Sequence, residues 1–221
     1  MRRAGALLVL LAAAGLGLVL TRGLDRSGRS QLVPTPTAPQ RVILFAPNLS
    51  ETAWALGHGD RIVAVTDYCV WPAELADRPR VGGMVDPNLE RILALHPDLL
   101  VVQGESGVLA DLARHGDLAL ARVDMDRGLD SILEGFVSVD SLLSGGETGR
   151  GRALREEVAA ALAAVADSAP PSRPRVLLSL GHDPGALTRL WTAGGGSFLN
   201  ELLARAGGRG LFDDHGREYL E

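Results

Sequence analysis

Short apolar runs alternate with helix-like segments through the middle of the chain. The apolar runs are rich in Val, Ile and Leu and lie at residues 41–46, 61–66 and 98–102, with a shorter one near 120–123. Apolar residues recur at helical spacing in residues 48–57, 88–95, 111–115 and 129–143. Short runs that lack a regular polar face are typical of strands buried on both sides. We therefore expect an α/β fold whose parallel sheet is covered by helices on both faces.

The predicted helices carry start and end signals. Residues 48–51 (Asn-Leu-Ser-Glu) have the spacing of a capping box, which predicts that Asn48 caps the first helix. Asp86 followed by Pro87 places an acceptor at the N-cap and a proline at the first helical position of the next helix. His58 and His115 fall at predicted helix C-termini, where a surface cation suits the helix dipole, so we expect both to be surface caps.

Residues 147–169 predict one long helix in alanine-rich surroundings. Its apolar positions recur at helical spacing: Leu154, Val158, Leu162 and Val165. A helix of about 22 residues would be roughly 33 Å long, which is long for an ordinary crossover helix. Two consecutive prolines, at positions 170 and 171, end it. We expect this helix to connect a first lobe, residues 41–146, to a second.

The second lobe is expected to occupy residues 170–221. A strand is predicted over residues 175–180, and a helix over 197–205 follows a loop of three glycines at 194–196. Few residues remain after that helix, which is too little to match the first lobe. We therefore expect either that the chain is a fragment or that its second lobe is incomplete.

The first 40 residues predict export. Arg2 and Arg3 precede an uncharged, Leu- and Ala-rich stretch at residues 4–20, which is typical of a secretory signal. Its length is also near the lower limit for a membrane span, so residues 1–23 are either a signal peptide or a membrane anchor. Residues 24–40 contain three prolines and indicate a flexible linker. The protein is expected to be periplasmic or otherwise extracytoplasmic.

Composition excludes several classes of protein. Of the 221 residues 46% are hydrophobic, which excludes a disordered chain, and the single cysteine excludes an intrachain disulfide. The net charge is −5, and it becomes −8 once residues 1–23, with three arginines and no acid, are set aside. With no basic run beyond Arg2-Arg3, the chain is not expected to bind nucleic acid.

We find no catalytic or metal-binding pattern. No two of the five histidines have metal-ligand spacing, and the serines that end predicted strands, Ser106 and Ser179, lack the frame of a nucleophile elbow. Cys69 has no neighbouring basic residue in sequence to activate it, so an inert buried thiol is expected. The loop at 194–196 lacks the Lys and Thr/Ser of a phosphate-binding loop, which favours a simple turn. We expect a non-enzymatic protein without cofactor.

Aromatic and polar residues follow the predicted strand ends. They are Tyr68 and Trp71 after the second strand, Gln103 and Gly104 after the third, and Trp191 past the strand at 175–180. Ligands of open parallel sheets bind beyond the carboxyl ends of the strands, and aromatic rings there offer a flat surface to a large ligand. Core packing of these aromatics is an equally good interpretation of their position alone.

Residues 41–221 resemble the periplasmic substrate-binding proteins of ABC importers for cobalamin, ferric siderophores and haem, the helical-backbone metal receptor superfamily. The resemblance rests on motifs in the family's order and spacing: Ala46-Pro47-Asn48-x-x-Glu51, Leu56-Gly57-x-Gly59-Asp60-Arg61-Ile62, Val81-Gly82-Gly83, Asn88-Leu89-Glu90-Arg91-Ile92 and Leu202-Leu203-x-x-Ala206-Gly207-Gly208. Within the family, Thr66-Asp67-Tyr68-Cys69-x-Trp71-Pro72 is similar to the cobalamin-binding branch. The resemblance implies two Rossmann-like lobes with parallel sheets, joined by one long backbone helix.

The resemblance also assigns roles. Tyr68 would lie against the corrin ring, Met84 stands where the cobalamin binders have a tryptophan, and Gln103 and Gly104 would line the pocket. Trp191 and Tyr219 match second-lobe aromatics that face the ligand, and Trp71 lies in the same motif as Tyr68. Glu90 corresponds to the carboxylate that docks onto arginines of the permease. The matching second-lobe glutamate would fall beyond Glu221.

The expected function is capture of a corrinoid between two lobes and delivery to an importer's permease and its ATPase. The protein is expected to be a monomer that meets the membrane only through residues 4–20 or the permease. The alternatives are a ferric-siderophore receptor and a haem receptor, and in a haem receptor Tyr68 could serve as the iron ligand. A membrane-anchored corrinoid-handling enzyme would need Asp67 as its acid, and the histidine positions disfavour a zinc or manganese receptor.

Overall fold

A four-stranded parallel sheet forms the first lobe in the computed structural model, which describes residues 38–116, 118–183, 185 and 190–221. Its strands are β1 (Val42–Leu44), β2 (Ile62–Val65), β3 (Leu99–Val102) and β4 (Ala119–Arg122). They lie in the order β2-β1-β3-β4, and each neighbouring pair is parallel. The parallel α/β fold predicted for this lobe is confirmed.

The predicted export segment, residues 1–23, and most of the linker lie outside the described residues. None of the helices in the described part of the chain combines the length and the apolar character that crossing a bilayer requires.

Four helices connect or flank the strands of the first lobe. They are α1 (Pro47–Ala55), α2 (Leu89–Ala94), α3 (Gly107–His115) and α4 (Leu129–Ser144), with short 3-10 turns at Gly59–Arg61 and Ala73–Leu75. All four lie where helical spacing predicted a helix, although α3 begins four residues earlier than expected because Ser106 caps it, accepting a hydrogen bond from the Leu109 N–H.

Both faces of the sheet are buried, as a parallel sheet between helices requires. Successive side chains of a strand point to opposite faces. In β1, Val42 and Leu44 accordingly join one apolar cluster with α1 and α4, while Ile43 joins the other with Leu100 and Ile92. All five of these side chains are fully buried.

The long connecting helix, α5, spans Arg150–Asp167 within the predicted region. Its 18 residues are roughly 27 Å long at 1.5 Å per residue. It starts in close contact with α4, since a Cβ placed on Gly151 would lie 2.6 Å from the Phe136 carbonyl oxygen. Beyond that contact its predicted apolar stripe is only partly covered, and Val165 is 49% exposed.

His58 is buried, so its predicted role as a surface cap is wrong. It is 2% exposed, and its Nε2 lies 3.5 Å from Asp140 Oδ1. The Asp140 carboxylate also accepts hydrogen bonds from the Thr148 hydroxyl at 2.6 Å and the Gly151 N–H at 2.9 Å. This buried cluster ties the end of α4 and the start of α5 to the loop after α1. His115, in contrast, is exposed at the end of α3, as predicted.

The second lobe is built from short elements. They are β5 (Arg175–Val176), β6 (Ser179–Gly181), β7 (Trp191–Ala193), α6 (Phe198–Arg205), β8 (Arg209–Gly210) and β9 (Tyr219–Leu220). β5 and β8 pair in parallel, whereas β6, β7 and β9 form an antiparallel sheet. The strand predicted over 175–180 is therefore two strands in different sheets, and parallel pairing extends only to β5 and β8 among the described strands of this lobe.

Candidate functional site

The carboxyl ends of the four parallel strands gather the predicted first-lobe residues along one edge of the sheet. Tyr68 follows β2, and Gln103 and Gly104 follow β3. Asn48 follows β1, and Asp124 follows β4. Because the strands are parallel, these five positions lie side by side at the edge where ligands of such sheets bind.

Asn48 and Gln103 form a direct link across this edge. The amide Nδ2 of Asn48 donates a 2.7 Å hydrogen bond to Gln103 Oε1. The predicted capping box is wrong, because Pro47 begins α1 and Ala46, two residues before Asn48, is the N-cap, with no side-chain cap. The Asn48 side chain is consequently available to hold Gln103 at the edge.

Asp124 holds the neighbouring turn in place. Gly104 has φ +76°, and its N–H donates to Asp124 Oδ1 at 3.2 Å. Arg122 Nε donates to the same oxygen at 2.8 Å, and its Nη1 donates to Glu105 Oε1 at 3.2 Å. A Cβ built on Gly104 would meet no atom within 4 Å, so the space in front of this turn is open to a ligand.

The Asp124 carboxyl is ionised. Burial by itself disfavours its charge, but the hydrogen bonds from Arg122 and the Gly104 N–H outweigh that effect and lower its pKa. Its second oxygen, Oδ2, is buried without a hydrogen-bond donor and lies 3.7 Å from the Arg127 guanidinium. Asn48 and Asp124 were not predicted as site residues, although each is a polar residue just after a strand end, the signal that identified Gln103.

The two aromatics predicted for the first-lobe site, Tyr68 and Trp71, are exposed, which excludes core packing as the reason for their placement. Tyr68 is 69% exposed and Trp71 is 55% exposed, beside the exposed apolar residues Val70 and Val85. The Tyr68 ring approaches Gly83, where a Cβ would sit 3.1 Å from the ring atom Cε2. A side chain at position 83 would therefore crowd the ring.

Met84 has a different environment from the aromatics. Its side chain is half-buried and packs against the apolar cluster that contains Ile92 and Leu109. Its carbonyl oxygen accepts a hydrogen bond from the Ser106 hydroxyl at 3.1 Å. The loop after β2 is thereby attached to the loop after β3, and Met84 serves mainly as its anchor.

Two second-lobe aromatics share one face of the antiparallel sheet. Trp191, predicted to follow a strand, instead lies in β7 and is 53% exposed; Tyr219 lies in β9 and is 38% exposed. Ala193 pairs with Tyr219, and Trp191 lies two residues before Ala193, so both aromatics project to the same side. Burial raises the pKa of the Tyr219 phenol, and the charges of Glu218 and Asp126 raise it further. Asp126 belongs to the first-lobe loop after β4.

Glu90 is exposed in the first turn of α2. The N-cap of this helix is Asn88, whose side chain accepts a 3.0 Å hydrogen bond from the Arg91 N–H. The prediction of Asp86 as N-cap is wrong, because its carboxylate accepts the Gly83 N–H within the preceding turn. An acid at Glu90 suits the helix dipole and is free to meet a partner.

The remaining chemistry of the described residues is sparse. Cys69 is buried, and burial raises the pKa of its thiol despite the nearby Arg80, in agreement with the predicted inert cysteine. In the described part of the chain no three His, Cys, Asp or Glu residues lie where they would hold a metal ion.

An open depression of about 380 Å³ lies at the opposite, amino edge of the sheet, lined by Leu93, His96, Pro97, Asp98, Gly116 and Leu118. None of the predicted site residues lines it.

Comparison with known proteins places the chain among binding proteins. The family described as periplasmic binding protein matches residues 42–221. A vitamin B12-binding protein of Vibrio cholerae is 30% identical over 120 residues, 54% of this chain and 44% of the relative. A cobalamin-binding protein of Halobacterium salinarum is 25% identical over 182 residues, 80% of this chain and 47% of the relative. The matches thus span less than half the length of these curated relatives.

Solved structures include both vitamin B12 and haem binders. The periplasmic haem-binding protein RhuT from Roseiflexus sp. RS-1 superposes with a TM-score of 0.71 at 26% identity, covering 82% of this chain and 69% of that one. The periplasmic vitamin B12-binding protein BtuF of Vibrio cholerae superposes with a TM-score of 0.66 at 26% identity, covering 84% and 71%. The fold is shared with both.

Proposed function

Because the chain belongs to the periplasmic binding protein family, we propose that it captures a corrinoid between its two lobes and delivers it to the permease and ATPase of an ABC importer. The family is one of binding proteins, which agrees with the prediction of a non-enzymatic chain. Membership of this family also supports a periplasmic location for the protein. Export to that location would depend on residues 1–23.

One observation carries the proposal: large aromatic side chains are exposed at the ligand edge of the first lobe and on one face of the second-lobe sheet. Tyr68, Trp71 and Trp191 each expose more than half of their surface. Exposed aromatics of this size need a partner surface, and a broad, flat ligand would cover rings from both lobes. Such a ligand would be held by contact area and hydrogen bonds, without covalent chemistry.

The charges at the edge favour a corrinoid over haem. Arg122 is engaged by Asp124 and Glu105, and Arg127 lies beside Asp124. Asp67 and Asp126 add further negative charge to the same edge. Haem carries propionate carboxylates, which these acids would repel, whereas the amide side chains of a corrin are neutral and can donate hydrogen bonds to carboxylates.

A haem or ferric-siderophore receptor is the second candidate. It is favoured by the exposure of Tyr68, whose phenolate could bind ferric iron, and by the fold shared with haem-binding proteins.

Glu90 is the proposed docking residue for the permease, and the working unit is proposed to be a monomer.

Equilibrium dialysis of the full-length chain against cyanocobalamin and hemin tests the proposal. We expect saturable binding of cyanocobalamin and weaker binding of hemin. Tyr68→Ala should weaken cyanocobalamin binding more than tenfold, because an aromatic contact contributes about 1 kcal/mol beyond its buried area.

The matched control is Tyr68→Phe, which keeps the ring and removes the phenol. A corrinoid receptor should bind cyanocobalamin almost unchanged in this variant. A haem receptor should instead bind hemin and lose the iron–phenolate absorption band in Tyr68→Phe. Failure of the folded protein to bind cyanocobalamin would contradict the corrinoid assignment.

A further inference from the structure

The N-cap residue of α4 provides no side-chain cap. Gly128 is the N-cap residue, buried and with φ +97°, and as glycine it has no side chain to accept a hydrogen bond. The first N–H groups of a helix need acceptors from outside the helix. Ser131 stabilises the turn before the helix, because its hydroxyl donates to the Gly128 carbonyl and accepts the Arg127 N–H, but it accepts none of the first helical N–H groups. The N–H of Leu129 is left for another acceptor.

That acceptor is a carboxylate of the second lobe. Glu201, in the first turn of α6, accepts the Leu129 N–H at 3.2 Å through Oε2. Its other oxygen occupies the place that a side chain at 128 would need, since a Cβ on Gly128 would lie 2.7 Å from Glu201 Oε1. A negative charge at this point also interacts favourably with the dipole of α4.

The contact lies beside the candidate site. Gly128 and Leu129 directly follow the loop that carries Asp124 and Asp126, and Asp124 holds the Gly104 turn. Fixing the start of α4 therefore fixes the first-lobe side of the site. On the second-lobe side, α6 follows β7 after four residues, and β9 pairs with β7, so Glu201 lies on the helix next to the strands that carry Trp191 and Tyr219.

We propose that Glu201 is a positioning residue that locks the second lobe onto the start of α4 and thereby sets the spacing between the aromatic surfaces of the two lobes. The part of this inference that concerns the ligand rests on the proposed function. The part that concerns the lobes stands on the Glu201 contact alone.

The hydrogen bond between Glu201 and the Leu129 N–H can break and form again as the lobes move apart and together. Glu201 is an exposed residue, so its carboxylate exchanges the Leu129 N–H for water without being left buried and unpaired. A ligand that binds only the locked arrangement has an apparent affinity proportional to the fraction of molecules in it. Loss of the carboxylate lowers that fraction.

Pulsed electron–electron resonance on the full-length chain measures the lobe spacing directly. Spin labels are placed at Glu74→Cys in the first lobe and Arg205→Cys at the end of α6, in a Cys69→Ser background. Glu201→Ala should broaden the distance distribution. Glu201→Gln keeps an acceptor oxygen and should preserve most of the narrow distribution.

Ligand release supplies a second readout. Displacement of bound cyanocobalamin should be about fivefold faster in Glu201→Ala than in the parent, the change expected for a lost helix cap. Glu156→Ala, which removes an exposed glutamate of α5, is the matched control and should leave both readouts unchanged.

The outcomes separate the two proposals. The lock is overturned if Glu201→Ala has the same distance distribution as the parent. A lower melting temperature would not rescue it, because a purely structural cap would change only the melting temperature. If cyanocobalamin does not bind to the parent, the corrinoid proposal fails while the distance measurement still decides the role of Glu201.

Discussion

The first lobe has a core of large, fully buried side chains, whereas the described part of the second lobe has none. All of the largest fully buried side chains lie between Val42 and Leu143. In the second lobe the buried side chains are small or polar, such as Ala193 and Thr192, and Leu180 and Trp191 are about half exposed. The first lobe is thus a self-sufficient scaffold, and the second depends on backbone contacts and on its attachments.

Close backbone approach replaces side-chain packing in the second lobe. The N–H groups of Gly194 and Gly195 donate to the carbonyls of Glu218 and His215, each at 2.8 Å. A Cβ on Gly195 would lie 2.1 Å from the Asp213 carbonyl oxygen, so the segments can approach this closely only with glycine there. The predicted simple turn at 194–196 is confirmed.

The largest expected effect is on stability, and it should differ between the lobes. Leu100→Ala in β3 removes a fully buried side chain and should lower the free energy of unfolding by about 3 kcal/mol, because it leaves a cavity in a packed core. Leu180→Ala, at a position 45% exposed, should change it by less than about 0.5 kcal/mol. Urea unfolding of both variants measures the difference, and equal losses would mean that the second lobe has a core of its own.

The second prediction concerns docking by the first lobe. If Glu90 docks onto permease arginines as proposed, Glu90→Arg should leave the affinity for cyanocobalamin unchanged and reduce its uptake about tenfold in proteoliposomes with the cognate importer, because like charges would then face each other. Asp77→Arg makes the same charge change at another exposed first-lobe acid and serves as the control. Normal uptake with Glu90→Arg would show that this helix does not contact the permease.

Much of the fold could be predicted from sequence because a buried parallel strand is a local pattern. The helix starts could not be predicted equally well, since each depends on one competing contact. Pro47 moves the start of α1, and the Gly83 N–H occupies Asp86 and leaves Asn88 as the cap of α2. The burial of His58 depends on Asp140, a residue 82 positions later that no local signal joins to it.

The positions of the site residues could be predicted from the sequence, but the residues that each of them contacts could not. Tyr68, Trp71 and Gln103 follow strand ends, and their placement at the ligand edge agrees with that expectation; their roles stay predictions. The pairs Asn48–Gln103 and Gly104–Asp124 join different strands, so they emerge only when the strand order is known. The Glu201 contact joins two lobes and has no signal in the local sequence.

The smallest expected effect is a pH dependence confined to the attachment of α5 to the first lobe. Burial and the positive charge of Arg150 lower the pKa of His58 below its ordinary value of 6.5, with Arg61 adding to this and the hydrogen bond to Asp140 opposing it. The unfolded chain therefore binds a proton at this histidine before the folded one does. Stability should fall as the pH drops below about 6.5, until the folded-state pKa is reached.

Asp140 affects the stability over a separate, lower pH range. Burial opposes its ionisation, but the hydrogen bonds from Thr148, Gly151 and Ser144 outweigh it and lower the pKa, so its contribution is lost only as the pH falls below the ordinary value of 3.8. Urea unfolding at about pH 7 and about pH 5.5 isolates the histidine. His58→Gln should remove the difference between these two conditions, and His115→Gln, at an exposed histidine, should preserve it. If His58→Gln retains the full difference, the pH-sensitive group lies elsewhere, and the attachment of α5 is insensitive to protonation in this range.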